Sequence, residues 1–201
     1  MPNSSNKCND QSDLNAGGND LNEYALSCYM RYMEGDESGL EEIVRVFSRP
    51  LLLFINGYVN NISIAEDIVS EAFLRLIIKR RRFKGAALFK TYLFSVGRNL
   101  AIDYLRRSAK NKTVPLVEDS PADIEELEAQ ALADEQKRKV HSALLKLNEL
   151  YREVLYLSFF EGFTNEQIAK VLNKSKKQVE NLLYRAKQSL KSILEREGIT
   201  L

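Results

Sequence analysis

The sequence has no tryptophan, a single histidine (His141) and only two cysteines, Cys8 and Cys28, among its 201 residues. Without a CxxC spacing, and with one histidine, the chain lacks the ligand pattern of a zinc site. A disulfide between the two cysteines is chemically feasible, but reduced thiols fit a cytosolic protein better. We therefore expect neither a metal nor any other cofactor.

Long apolar runs are missing as well. The longest, "PLLLFI" at residues 50–55, is far shorter than the roughly 20 residues that a membrane-spanning helix needs. The first residues, "MPNSSNKCNDQSDLNAGGND", are polar and carry no apolar segment of the kind found in secretory signals. These features predict a cytoplasmic protein whose residues 1–20 form a disordered tail.

The formal net charge of +1 conceals an uneven distribution of charge along the chain. Residues 21–112 carry +5 and residues 137–201 carry +6, whereas residues 113–136 contain no Lys or Arg and carry −8. Two basic blocks on either side of an acidic one suit two domains that face a polyanion and are joined by an acidic linker. Charges of this size also arise by chance, so they suggest nucleic acid without requiring it.

Apolar residues recur at spacings of three and four along both basic blocks, and no segment has the alternation of a strand. A capping box at Ser63 and Glu66 predicts the start of a third helix, and a long fourth helix is expected from about Ala87 to Ser108. Pro50, inside the second helical pattern, should kink or split that helix. We predict an all-α fold of two small helical domains, residues 21–112 and 137–201, joined by an acidic linker at 113–136.

Residues 164–190, "TNEQIAKVLNKSKKQVENLLYRAKQSL", read as two helices around a very short turn. Each helix opens with a capping box, at Thr164 and at Ser175, and Asn173 tolerates the left-handed conformation that a tight corner needs. This is the pattern of a helix-turn-helix, whose second helix enters the major groove. Its candidate DNA-contacting residues are Lys176, Lys177, Gln178, Asn181, Tyr184 and Arg185. A helical hairpin with a merely solvated polar face is the alternative.

The segment "FKTYLFSVGRNLAIDYLRR", residues 89–107, combines an apolar face with polar residues about one turn apart. An ion-paired helix surface, with Asp103 paired to Arg106 or Arg107, is the ordinary interpretation of such a pattern. The functional interpretation is a basic strip that follows a phosphate backbone, with Asn99 and nearby aromatic rings available for unpaired bases.

Both halves resemble one family. "ALLKLNELYREVLYLSFFEGFTNEQIAKVL" resembles the −35-binding domain of bacterial sigma factors of the extracytoplasmic-function group, with Asn148 where that family usually has proline. "RNLAIDYLRR" resembles the segment that reads the −10 element, and "SIAEDIVSEAFLRL" resembles the helix that docks on core RNA polymerase. The C-terminal half alone also resembles response-regulator output domains, so the N-terminal half decides between the two families.

The resemblance implies a sigma factor rather than an enzyme. Such a protein binds the clamp and flap of core RNA polymerase and recognises the −10 and −35 elements of promoter DNA through its region 2 and region 4 domains. It acts on no small-molecule substrate, and members of the group are commonly held inactive by an anti-sigma factor. Two acidic residues, Asp67 and Glu71, match the polymerase-contacting pattern. The residues implied for the −10 element are Phe83, Lys84, Phe89, Lys90, Arg98, Asn99, Arg106 and Arg107.

Two other classes of protein stay open at this point. One is a helix-turn-helix regulator that binds duplex DNA without polymerase, and the other is a helical module whose charged faces bind proteins. Glu180, where many members of the family carry a basic residue, suits a hydrogen bond from a cytosine amine.

Overall fold

The computed structural model describes residues 18–79, 86–110 and 142–198, and these ranges contain helices and no strand. The first group consists of α1 (Gly18–Met33), α2 (Ser38–Val59), α3 (Ile62–Lys79) and α4 (Ala86–Lys110). After a short helical stretch at 142–145, the second group consists of α5 (Glu149–Leu155), a π-helical turn (Tyr156–Phe160), α6 (Asn165–Leu172) and α7 (Lys176–Arg196). The predicted all-α fold is confirmed. No helix in the described ranges is long and apolar enough to span a membrane.

In the first group, α4 packs against α1, α2 and α3. Gly97 lies at a close contact between α4 and α2, since a Cβ added there would be 3.0 Å from the Cδ1 atoms of both Leu51 and Ile55. Glycine in a helix interior costs roughly 0.5–1 kcal/mol relative to alanine. At this position that cost is offset by the closer packing of two helices.

Two local features of α2 and α3 differ from the sequence-based expectation. α2 continues through Pro50 as one helix, so of the predicted kink or split the split does not occur; buried residues before and after it, such as Phe47 and Leu51, hold both halves against the same core. α3 begins at Ile62, and the Asn61 Oδ1 atom accepts a hydrogen bond from the Ile64 amide at 3.0 Å. The capping box predicted at Ser63 is therefore wrong: Ser63 lies inside the helix, and an asparagine, which suits a helix N-cap equally well, serves that role two residues earlier.

The helix-turn-helix predicted at residues 164–190 is present. Thr164 and Ser175 each form a complete capping box, with Gln167 and Gln178 respectively. Asn173 ends α6 in the left-handed region, with φ of 53°, as its position in the turn predicts. Asn148, the residue in place of the family's proline, is the N-cap of α5 and accepts a hydrogen bond from the Tyr151 amide at 2.9 Å.

The two helical groups pack against each other: α4 contacts α6, and α2 contacts α5. Phe94 on α4 meets Phe163, just before α6, edge to face with ring centroids 5.3 Å apart. On the other side of this contact, Phe54 of α2 stacks on Tyr156 at 5.9 Å, and the Tyr156 hydroxyl donates to the Pro50 carbonyl oxygen at 3.2 Å. One side of α4 is thereby covered by the helix-turn-helix group.

Candidate nucleic-acid interface

The polar side of α7 is open to solvent. Three apolar residues, Val179, Leu183 and Ala186, bury the opposite side of the helix against the rest of its group. Every DNA-contacting candidate on this helix is exposed, namely Lys176, Lys177, Gln178, Asn181, Tyr184 and Arg185, and Glu180 is exposed beside them. Exposed donors on the first turns of the second helix are what major-groove recognition requires. We call these six residues the recognition face.

The ion pair between Lys176 and Glu166 connects this face to α6. The Lys176 Nζ atom lies 2.5 Å from the Glu166 Oε1 atom, and both side chains are 56% exposed. The hydrogen bond to Glu166 raises the pKa of Lys176, which therefore carries its charge throughout the physiological range. Because an exposed ion pair contributes little net energy, Lys176 is free to exchange this carboxylate for a DNA phosphate.

The C-terminal part of α4 is likewise exposed, at Asn99, Arg106 and Arg107. Asp103 pairs with Arg106 at 3.7 Å, the i,i+3 option of the two that the sequence offered. Arg107 donates from Nε to the Asp103 backbone oxygen at 3.2 Å instead. Both contacts are solvent-exposed and weak, so these arginines remain available for phosphates.

Phe89, in contrast, is a core residue in this structure. It is fully buried, and its ring lies 5.2 Å from that of Tyr29 and 5.9 Å from that of Phe47. Its place near the start of α4, facing α1 and α2, puts the ring inside the domain and away from any surface that meets DNA. Two other −10 candidates, Phe83 and Lys84, lie outside the described residues.

Lys90 is also buried, but in the contact between the two helical groups. Its Nζ atom lies 2.8 Å from the Glu161 Oε2 atom and donates to the Glu161 backbone oxygen, also at 2.8 Å. The same ammonium group lies 4.9 Å from the centroid of the Phe163 ring, a cation–π distance. Lys90 is only 4% exposed, so its charge is fully engaged by residues of the second group.

Arg98 makes a second buried ion pair across the same contact. Its Nε atom lies 2.5 Å from the Glu153 Oε1 atom on α5 and 3.1 Å from the Tyr58 hydroxyl on α2. Two effects oppose each other at Glu153. Burial raises the pKa of its carboxyl to about 8, whereas the neighbouring guanidinium favours the ionised form. Burial also lowers the pKa of Arg98.

Sequence reasoning missed the two acidic partners, Glu153 and Glu161. Glu153 lies among apolar residues in "ELYREVLYL", and a carboxylate at a position that periodicity assigns to the core implies a buried cationic partner. That signal was present in the sequence, but it does not identify the partner. Arg152, next to Glu153, adds a hydrogen bond from Nη2 to the Gly57 carbonyl oxygen at 2.6 Å.

A separate surface lies on α3. Asp67 is exposed, and Glu71 pairs with Arg75 at 2.9 Å on the helix surface. Leu74 and Ile78, which are 51% and 77% exposed, follow Glu71 at i+3 and i+7 and so lie on the same side of the helix. The sequence suggested the acidic residues alone, although apolar residues outside the core periodicity could have pointed to the other two.

These features define an all-α DNA-binding protein with a helix-turn-helix and a second basic helix. Residues 30–111 match the family model for Sigma-70 region 2, and residues 137–190 match that for Sigma-70, region 4. The chain belongs to the sigma-70 family of RNA polymerase sigma factors, in the extracytoplasmic-function group. Members of this family bind core RNA polymerase and promoter DNA and act in transcription initiation.

Individual relatives agree with this assignment. The chain is 28% identical to the RNA polymerase sigma-H factor of Pseudomonas aeruginosa, over 82% of this chain and 91% of the relative. It is 26% identical to the ECF RNA polymerase sigma factor SigM of Bacillus subtilis, over 78% of this chain and 96% of the relative. Among solved structures, that of CnrH in complex with the cytosolic domain of CnrY matches with a TM-score of 0.60 at 22% identity, over 86% of this chain and 98% of CnrH. This last likeness supports the fold.

Proposed function

We propose that this sigma factor recognises two promoter elements, the −35 element as duplex and the −10 element as an opened strand. The observation that carries the proposal is the recognition face of α7, which is exposed throughout and held in a capped helix-turn-helix. In this proposal, Arg185 and Asn181 contact base edges, while Lys176 and Lys177 contact phosphates. Residues 137–201 would form the −35-reading domain, residues 21–112 the −10-reading domain and residues 113–136 the acidic linker between them.

The −10 element is assigned to α4. Arg106 and Arg107 would contact phosphates of the non-template strand, and Asn99 and Arg98 would contact unpaired bases or the sugar-phosphate chain near them. Taking bases out of a stack costs a few kcal/mol each, so such a site must supply compensating polar or stacking contacts. Arg98 and Lys90 can take part only when they leave their carboxylate partners.

Core RNA polymerase would bind the α3 surface. Asp67 and Glu71 supply charge, and the exposed Leu74 and Ile78 supply apolar area that is otherwise left in water. We further propose that the protein acts in the cytoplasm, without enzymatic activity of its own or a small-molecule substrate. An anti-sigma factor is proposed as an additional partner, since the solved CnrH structure also holds a second protein, the cytosolic domain of CnrY.

The direct test is run-off transcription from a pool of genomic fragments, with purified protein and core RNA polymerase. We expect transcripts whose start sites share two upstream sequence elements at a fixed spacing. Duplex binding that is unaffected by polymerase and yields no transcripts would instead support a helix-turn-helix regulator. Absence of DNA binding at low salt would support a protein-interaction module.

Paired substitutions test whether α3 binds polymerase while α7 binds the −35 duplex. Asp67→Lys should reduce affinity for core polymerase and leave binding to a −35 duplex unchanged, because α3 and α7 lie in different helical groups. Arg185→Ala should do the reverse. Glu34→Lys, which reverses an exposed charge after α1, is the control for Asp67→Lys. If both substitutions left polymerase-dependent transcription intact, the site assignments would be wrong.

A further inference from the structure

We propose that Glu180 is a specificity-determining residue of the −35 contact, and that its carboxylate accepts a hydrogen bond from the exocyclic amine of a cytosine in the major groove. The inference rests on the proposed function, because it assigns a base pair to the helix that carries the recognition face. Residues 176–185 of that helix hold three basic side chains and one acidic side chain, Glu180.

Glu180 lies on the solvent side of α7, within the turns that a helix-turn-helix inserts into the major groove. It is the fifth residue of the helix, which begins at Lys176 after the N-cap Ser175, and its side chain is exposed. Spacings of three and four place Lys177 and Tyr184 on the same side of the helix as Glu180. Tyr184 is 68% exposed. A duplex that meets these two residues therefore also meets Glu180.

None of the usual intramolecular roles of a helix carboxylate accounts for Glu180. Among the residues that the structure describes, it forms no ion pair. The Lys176 Nζ atom, four residues earlier, lies 2.5 Å from Glu166 instead, and the Lys187 Nζ atom, seven residues later, lies 5.4 Å from the centroid of the Phe159 ring. Stabilisation of an acid by a helix N-terminus falls off within the first turn, and Glu180 lies beyond it. The carboxylate is thus available to a ligand.

A carboxylate on this surface weakens binding to DNA unless a base offsets its charge. The cations of the recognition face attract phosphates, and phosphate contacts favour every sequence equally. The same phosphates repel Glu180, so a duplex that offers it no hydrogen-bond donor is bound less tightly. A duplex that presents a donor at the right position offsets this repulsion. Glu180 therefore discriminates mainly by disfavouring the wrong base pairs.

The edges of the bases in the major groove identify the donor. Guanine and the thymine oxygen present only acceptors there, which repel a carboxylate. Adenine has a donor amine, but its N7 acceptor lies beside it, whereas cytosine presents its N4 amine without an acceptor on the same base. Acceptance from the cytosine amine is accordingly the pairing that suits a glutamate, and it fits Glu180 better than contact with the other three bases.

The first test scans the upstream element of a promoter recovered by run-off transcription, one base pair at a time, with holoenzyme assembled from core polymerase and the full-length protein. Wild-type holoenzyme should favour C·G over T·A by about tenfold at one position. Glu180→Ala should remove this preference and leave those at other positions unchanged. Glu180→Gln should shift it towards adenine, whose N6 and N7 atoms pair with a glutamine amide. Glu195→Gln, an exposed charge removal near the end of α7, is the control and should change no preference.

The second test deletes the donor amine itself. A promoter duplex is prepared with 2-pyrimidinone, which lacks the exocyclic amine, in place of the cytosine at that position. Fluorescence anisotropy should show that wild-type holoenzyme binds this duplex about tenfold less tightly than the unmodified one, as expected for loss of a base contact. Glu180→Ala should bind the two duplexes about equally. Because both proteins meet the same modified duplex, the cycle separates the contact from any weakening of the base pair.

The outcomes distinguish this inference from the function on which it rests. Wild-type base preferences at every position in Glu180→Ala would overturn the inference, even if overall affinity rose through loss of repulsion. Altered preferences at several positions would overturn it too, since they would indicate a shift of the whole helix. In both cases the −35 assignment would stand if Arg185→Ala still impaired use of the upstream element. Wild-type holoenzyme that transcribes without any base preference in that element would refute the −35 assignment itself.

Discussion

The recognition face of α7 and the basic side of α4 carry the same sign of charge, but their cations differ in solvent exposure and in ion pairing. On α7 the cations are exposed, and the ion pair between Lys176 of the recognition face and Glu166 is solvated. On α4 the two innermost cations, Lys90 and Arg98, are paired with carboxylates from the other helical group and largely buried. The sequence alone predicts the same role for both sets of cations, whereas the structure shows that only one set is exposed.

The largest effect on DNA affinity is expected from a substitution on the exposed recognition face of α7. Arg185→Glu removes a donor worth ~1–3 kcal/mol in a base contact and adds repulsion, so −35 duplex affinity should fall about a hundredfold. Fluorescence anisotropy with a promoter duplex at fixed salt measures it. Lys191→Glu makes the same charge reversal farther along α7, at an exposed residue, and serves as the control. Equal losses in the two variants would show that α7 attracts DNA by net charge alone.

Substitutions at the exposed end of α4 should reduce DNA affinity by a smaller factor. Arg106→Ala and Arg107→Ala each remove one phosphate contact, so single-strand affinity should fall a few-fold and the salt dependence should weaken by about one counterion per substitution. Both arginines are exposed in the structure, so neither loss depends on a rearrangement of the helices. Lys90→Gln provides the contrast, since Lys90 is 4% exposed and paired with Glu161, so its replacement should act first on the contact between the two helical groups.

The smallest effect is expected from a change of pH, which should alter the stability of the contact between the two helical groups. Burial raises the pKa of the Glu153 carboxyl to about 8 when the two helical groups are in contact, whereas exposure on their separation returns the pKa toward its usual value of 4.5. Formation of the contact therefore takes up a proton between these values, and the contact loses stability as pH rises from about 4.5 to about 8. The charges facing this carboxyl are Arg98 from α4 and Lys174 from the turn after α6, with Glu149 acting on Arg98 and the Tyr58 hydroxyl completing the site.

Scattering at pH 6 and pH 8.5 measures this dependence. Wild-type protein should be more compact at pH 6, and Glu153→Gln, which cannot titrate, should remove most of the difference. Greater compaction at pH 8.5 would mean that the pair with Arg98 outweighs burial and keeps the carboxylate ionised while the groups are in contact.

Local features of the fold were predictable because their causes lie within a few residues. The capping boxes at Thr164 and Ser175, and the left-handed Asn173 between them, follow from side chains three residues apart or from the residue itself. The same reasoning failed at Ser63, where Asn61 offered an equally good cap two residues earlier. At Pro50 the predicted split does not occur, since packing on both sides of it keeps α2 a single helix.

The contact between the groups lay beyond such reasoning. Glu153 and Arg98 are 55 residues apart, and Lys90 and the Glu161 carbonyl are 71 apart, so no periodicity relates them. Phe89 shows the same limit, because a motif assigned its ring to DNA whereas its packing against Tyr29 and Phe47 makes it a core residue. Family resemblance suggested surfaces for DNA, and tertiary structure was needed to find that some of the suggested residues are covered.

The most direct measurement of the central claim is the rate at which an amine-selective reagent modifies individual lysines of the free protein, resolved by mass spectrometry. Lys177 on the exposed recognition face should react quickly, and Lys90 should be strongly protected. In the Glu161→Gln variant, which removes the carboxylate partner of Lys90, the rate at Lys90 should approach that of Lys177. Equal rates at the two lysines in wild-type protein, or protection of Lys90 that persists when the variant has expanded, would contradict the account.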